Sequence, residues 1–133
     1  MLASQIIEPG TLVATNDRVS VSVRMPWYRS LPLSSLTGIA LSIDGVDVPR
    51  ESITWKTTDG GSYLLDELAP RHDKWWFVLD SARIEGDLPD LPHGTEYEVH
   101  VHIGLHIPYL PVGEGFITIE EQDKKTMEMQ MAL

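Results

Sequence analysis

The chain contains no cysteine in its 133 residues. Disulfide staples, thiolate nucleophiles and cysteine-ligated zinc are thereby excluded, and the fold must rest on its core or on a partner. Cations are scarce as well. Ten Lys and Arg stand against twenty Asp and Glu, a formal charge of −10, with no basic run to neutralise phosphates. Neither nucleic acid nor an anionic membrane surface is expected as a partner. No apolar stretch approaches the ~20 residues that cross a bilayer, and the opening MLASQIIEPG lacks a basic start, so a soluble, cytoplasmic protein is expected. Helical periodicity is missing; only DELAPRHDK reads as one short turn, stopped by Pro70. There is no glycine-rich phosphate loop, dinucleotide fingerprint or Gly-x-Ser-x-Gly elbow.

What is present is a period of two. Val19, Val21, Val23 and Met25 alternate with polar residues, as do Ile39, Leu41 and Ile43, and again Tyr97, Val99, Val101, Ile103, Leu105 and Ile107. Side chains alternate across a strand, so each run predicts one buried face. Asp44-Gly45 follows the second run, and both residues tolerate the positive φ of a type I′ hairpin turn. Further strands are expected within 53–57, 63–65, 75–79 and 82–84, with Asp59-Gly60-Gly61 as another turn. Trp55 is in phase with Ile53, and Trp75 with Phe77 and Leu79, so both rings are expected in the core and Trp76 at a surface. Segments 86–94 and 108–115, rich in Pro and Gly, are expected as long connections. Residues 120–133 read as a charged link plus a weak terminal strand with Met127, Met129 and Met131 on one face, loosely held or paired with a neighbouring subunit. At 42% hydrophobic content, the expectation is an all-β chain. It would form an antiparallel β-sandwich, immunoglobulin-like in architecture, as a single domain over residues 1–133.

Residues 24–36, RMPWYRSLPLSSL, crowd apolar side chains into a segment that Pro26 and Pro32 keep from regular pairing. Display of Trp27, Tyr28, Leu31, Leu33 and Leu36 on such a loop suits a partner or ligand. The plainer alternative is a lid folded back over the chain's own core.

His100, His102 and His106 share the even face of the third alternating run, away from its apolar side. His-x-His on a strand puts two Cα atoms about 7 Å apart, a metal-ligand spacing, which makes His100 and His102 the metal candidates. His106 lies about 13 Å beyond His102 on an ideal strand and joins them only if Gly104 bulges. A solvated or interface face is the simpler role. His72 and His93 have no partner spacing. Asp66-Glu67, Asp87-Asp90 and Glu120-Glu121 fall in polar sequence whose solvation leaves them chemically idle, so no catalytic residue is nominated in this chain. Two rival functions stay open: a free-standing carbohydrate-binding module stacking sugars on Trp27 or Trp76, and a small cupin-type metalloenzyme on His100 and His102.

The succession VRMPWYRSLPLSSL, IDGVDVP, YLLDEL, a tryptophan strand and LPHGTEYEVHVHIGLHIPYLP resembles the small β subunit of bacterial C-glycoside deglycosidases over residues 6–112. Pro26, Tyr28, Arg29, Pro32, Leu33 and Ser34, combined with Gly94 and Pro108-Tyr109-Leu110-Pro111, carry most of the likeness. The chain departs from that pattern at Ser30, where glycine is common, and at DLPDLPHG. The resemblance implies the sandwich subunit of a two-subunit carbon–carbon lyase. Its α subunit would be a TIM barrel holding a divalent metal such as Mn2+, while this chain binds no cofactor. The implied substrate is a flavonoid-type aromatic C-glucoside oxidised at sugar C3, and the implied assembly is a hetero-oligomer of αβ pairs. Docking is implied through Trp27, Tyr28, Arg29, Leu31, Pro32 and Leu33, with Pro108 and Tyr109 as a second loop.

Overall fold

The computed structural model describes residues 6–15, 17–88, 91–92, 94–112 and 115–131, without the side chains of 108–112, 115–116 and 131. Its strands are β1 (Val13–Thr15), β2 (Arg18–Arg24), β3 (Leu31–Pro32), β4 (Leu36–Ile43), β5 (Val46–Asp47) and β6 (Thr54–Lys56). They continue as β7 (Ser62–Leu64), β8 (Trp75–Trp76), β9 (Ser81–Asp87), β10 (Glu96–Val112), β11 (Gly115–Glu128) and β12 (Gln130–Met131). Six form a sheet in the order β12-β1-β2-β9-β6-β7, four form a second in the order β11-β10-β4-β5, and β3-β8 is a short ribbon. Among the described residues every pair is antiparallel except β1 with β12. The fold is all-β, as the alternation requires.

The period-two runs form the core. Val19, Val21 and Val23 from one sheet meet Ile39, Leu41, Ile43 and the odd residues from Tyr97 to Ile107 from the other in a single apolar cluster. Asp44 (φ 49) and Gly45 (φ 80) make the two-residue turn between β4 and β5, and Asp44 Oδ1 also accepts the Glu98 N–H at 2.7 Å. Both residues therefore occupy the left-handed region that a type I′ turn demands. The short turn near DELAPRHDK is a 3-10 segment, Leu65–Glu67.

Three expectations are corrected. Residues 108–112 are not a connection, because β10 runs on to Val112 and pairs with β11 through Pro111 and Val112 after a register shift beyond Ile107. Beyond Leu105 no described strand pairs with β10 on its β4 side, and such an edge is where a strand tolerates proline. The charged segment from Glu120 is likewise no link. It is paired with β10 residue by residue from Ile117 to Glu128, as the edge of its sheet. Only β12 is a short terminal strand, and Met127 and Met129 are buried in the core.

The third correction concerns tryptophan. Trp76 is 3% exposed and Trp75 46%, the reverse of expectation. The strand is only two residues long, and its pairing with β3 sets the phase. Leu31 stands opposite Trp76, and directly opposed antiparallel residues share a face, so both turn inward. The Trp76 ring meets buried Trp55 edge-on at 4.7 Å, and its Nε1 donates to the Asp80 carbonyl at 2.9 Å. Trp55 is in the core with Ile53, as its phase predicts.

Candidate partner-docking site

The segment from Pro26 to Leu36 divides between core and surface. Pro26, Leu31, Leu33 and Leu36 are buried, so the lid alternative holds for the aliphatic half. Pro32 and Trp27 are half-buried, Arg29 is exposed, and Tyr28 is 61% exposed. The rings of Trp27 and Tyr28 pack against each other at 4.8 Å, tilted by 43°. Leu31 and Leu33 therefore anchor the loop, and its outer surface belongs to Trp27, Tyr28, Arg29 and Pro32.

That surface continues onto a second segment. Trp75 lies opposite Pro32 and turns outward with it. A turn closed by the Asp80 N–H donating to the Phe77 carbonyl at 2.9 Å then holds out Phe77, 56% exposed, and Leu79, 81% exposed. Ser30 Oγ accepts the Val78 N–H at 2.8 Å, tying the two loops together. Leu33 N–H donates to the Lys74 carbonyl at 2.8 Å and Ser34 N–H to the Arg71 carbonyl at 3.0 Å. Sequence phase had placed Trp75, Phe77 and Leu79 in the core. Two residues of strand carry no phase of their own, and the pairing of Leu31 with Trp76 sets it instead.

Asp59 accepts hydrogen bonds from the Thr57 hydroxyl and the Gly61 N–H, and these, with the Lys74 charge, hold its carboxyl below the usual value. On the six-stranded sheet, Glu85 bridges Arg18 Nε and Lys56 Nζ, each at 3.0 Å. Partial burial raises its carboxyl, but hydrogen bonds and charge from Lys56 and Arg18 outweigh that and the net shift is downward.

The histidine face holds no comparable convergence. His100 Nε2 lies 2.8 Å from Gln122 Oε1 and His102 Nε2 3.9 Å from Glu120 Oε1, each turned to its own neighbour on β11. The irregularity near Gly104 belongs to β4, where Thr37 is passed over between Gly38 and Leu36. A Cβ on Gly104 would lie 2.6 Å from Thr37 Oγ1, so glycine permits that approach. Among the described residues no three His, Asp or Glu are placed to share a metal ion. His72 is exposed, His93 and Asp90 lie outside the described residues, and the side chains of Pro108 and Tyr109 are not described. No helix among the described residues is long and apolar enough to cross a membrane.

The family model for the C-glycoside deglycosidase beta subunit matches residues 10–109. The chain belongs to that family. A C-glycoside deglycosidase beta subunit of Arthrobacter globiformis is 44% identical over 97% of this chain and 98% of its own length. One from Microbacterium trichothecenolyticum is 43% identical over 96% of the chain and 97% of its own length. A 3'-dehydrocarminate deglycosidase beta subunit from a Microbacterium species is 34% identical over 98% of the chain and 97% of its own length. Members of this family are thus named as parts of a larger enzyme, which implies a partner subunit in a hetero-oligomer.

Proposed function

We propose that this chain is the required, non-catalytic subunit of a cytoplasmic C-glycoside deglycosidase assembled from αβ pairs, acting with a TIM-barrel α subunit. The observation that supports this is 44% identity, over nearly the whole chain, to a protein named C-glycoside deglycosidase beta subunit. The reaction is cleavage of the carbon–carbon glycosidic bond in 3-oxo C-glucosides of aromatic, flavonoid-type aglycones. A relative named for 3'-dehydrocarminate supports a 3-dehydro substrate.

A ketone at sugar C3 acidifies the proton on C2. A base removes that proton, the C1–C2 double bond forms, and the C1–aryl bond breaks with its electron pair passing to the aglycone carbon, which is then protonated. A divalent metal such as Mn2+ supplies Lewis-acid stabilisation of the enolate when bound, and it is assigned to the α subunit. His100 and His102 do not fit that role, since they face separate partners on β11. The task of this chain is to dock. Trp27, Tyr28 and Pro32 present apolar surface, and Arg29 offers a planar fork suited to a carboxylate of the partner.

The test is lyase activity on a 3-oxo C-glucoside with this chain alone, the α subunit alone and both together, Mn2+ present throughout. Activity only in the mixture supports the assignment. Equal activity from the α subunit alone would reduce this chain to an accessory domain.

A further inference from the structure

The loop at Trp27–Arg29 is half of a larger surface. Trp75, Phe77 and Leu79 stand on the neighbouring turn, joined to the loop by the Ser30–Val78 hydrogen bond and by the β3-β8 ribbon. The backbone bonds from Leu33 and Ser34 to Lys74 and Arg71 fix both segments to one frame, and buried Leu31, Leu33 and Trp76 hold that frame to the core. A face already held in this way loses little conformational freedom on binding. Trp, Tyr and Arg side chains are also those that dominate protein interfaces energetically.

Charge marks this face off from the rest of the molecule. Segments 24–36 and 71–80 contain four cations, Arg24, Arg29, Arg71 and Lys74, and two carboxylates, Asp73 and Asp80. They carry a net +2, whereas the remaining residues carry −12 of the total −10. Including Asp59 of the adjoining turn leaves the local balance at +1. Segments with a small positive balance in an acidic chain favour an acidic surface opposite them, while the rest of the chain repels one.

Resting on the subunit assignment above, we propose that Trp75, Phe77 and Leu79 join Trp27, Tyr28 and Arg29 in one docking face for the partner subunit. The matching surface of that subunit is apolar at its centre and acidic at its rim, so attraction is local and opposed to the chain's net charge.

The test uses the full chain and the partner subunit obtained by co-expression, with the dissociation constant measured by calorimetry at two salt concentrations. Leu79→Asp and the pair Arg29→Glu with Lys74→Glu change exposed side chains, so circular dichroism should match the parent. Val46→Asp is the control: it is exposed too, on β5 opposite Ile43 at the far end of β4, about 23 Å from Leu36 by the rise of a strand. Expected are at least tenfold weaker binding for Leu79→Asp and for the charge-reversed pair, a shallower salt dependence for that pair, and no change for Val46→Asp. Wild-type affinity in Leu79→Asp, with the unaltered chain still restoring lyase activity, overturns this face while leaving the subunit assignment intact. Tighter binding of the charge-reversed pair overturns the acidic rim. If the unaltered chain neither binds nor activates the partner, the subunit assignment fails and this inference with it.

Discussion

Replacing each of the adjacent tryptophans by alanine separates two roles that sequence phase had interchanged. A fully buried Trp removes about 200 Å2 of apolar surface from water, worth up to ~5 kcal/mol at ~25 cal/mol/Å2. Compactness of the unfolded chain reduces this to ~3–4 kcal/mol, and loss of an edge-on ring partner adds ~1 kcal/mol. For Trp76, 3% exposed and set against Trp55, Trp76→Ala should therefore cost about 4 kcal/mol, within the ~3–5 usual for such truncations. Trp75 is 46% exposed, so about half the area is at stake and Trp75→Ala should cost about 1.5 kcal/mol. Urea unfolding followed by far-ultraviolet circular dichroism resolves the difference. With a slope of ~2 kcal/mol per molar, the two midpoints should lie more than ~1 M apart. Partner affinity should follow the opposite order, with Trp75→Ala weakening assembly while the fold survives. Equal destabilisation by the two substitutions, or a greater loss from Trp75→Ala, would refute the inward phase of Trp76 and the surface built on it.

Gly86→Ala should lower stability by about 1–3 kcal/mol in thermal melts, because the new methyl would sit 2.3 Å from Val48 Cγ1 and 3.3 Å from Ile53 Cγ1. Asp123→Ala removes the buried acceptor of the Ile7 N–H and the Lys125–Asp123 ion pair. A loss of about 1–3 kcal/mol is expected, with faster hydrogen exchange at the Ile7 amide as its local signature. The carboxyl of Glu85 is held below its usual value, so it binds protons less readily in the folded than in the unfolded chain. Its stabilisation is full above about pH 4.5 and is lost as pH falls through the folded value, so Glu85→Gln should be less stable at neutral pH and lose less on acidification. Matching pH profiles in acid titrations of the two proteins would contradict the Arg18–Glu85–Lys56 linkage.

Where alternation ran for several residues, sequence and structure agree. The runs at Val19–Val23, Ile39–Ile43 and Tyr97–Ile107 bury the faces their phase predicts, and Asp44-Gly45 turns as its backbone tolerance predicts. Failures occur where phase is set by a neighbour rather than by the segment. The two residues of β8 are too few to carry a period, so their orientation comes from Leu31 across the ribbon. The charged run of β11 looked like a link because an edge strand with one solvated side needs no apolar alternation. Its strand character resides in the partner β10. At the docking loop, composition announced an apolar cluster but not its division into buried Leu31 and Leu33 and exposed Tyr28 and Arg29.

The edge formed by β11 also bears on how the free subunit survives before it meets its partner. A strand of 14 residues with one unpaired side is a template for growth by other chains. Between Glu120 and Lys125 this strand alternates no apolar row at all, and on its inward side Asp123 and Lys125 place charges where an incoming strand would need to lay hydrophobic surface. Edge-to-edge stacking of copies along β11 is therefore discouraged. The newly made chain is thus protected from aggregating through the longest edge strand among the described residues.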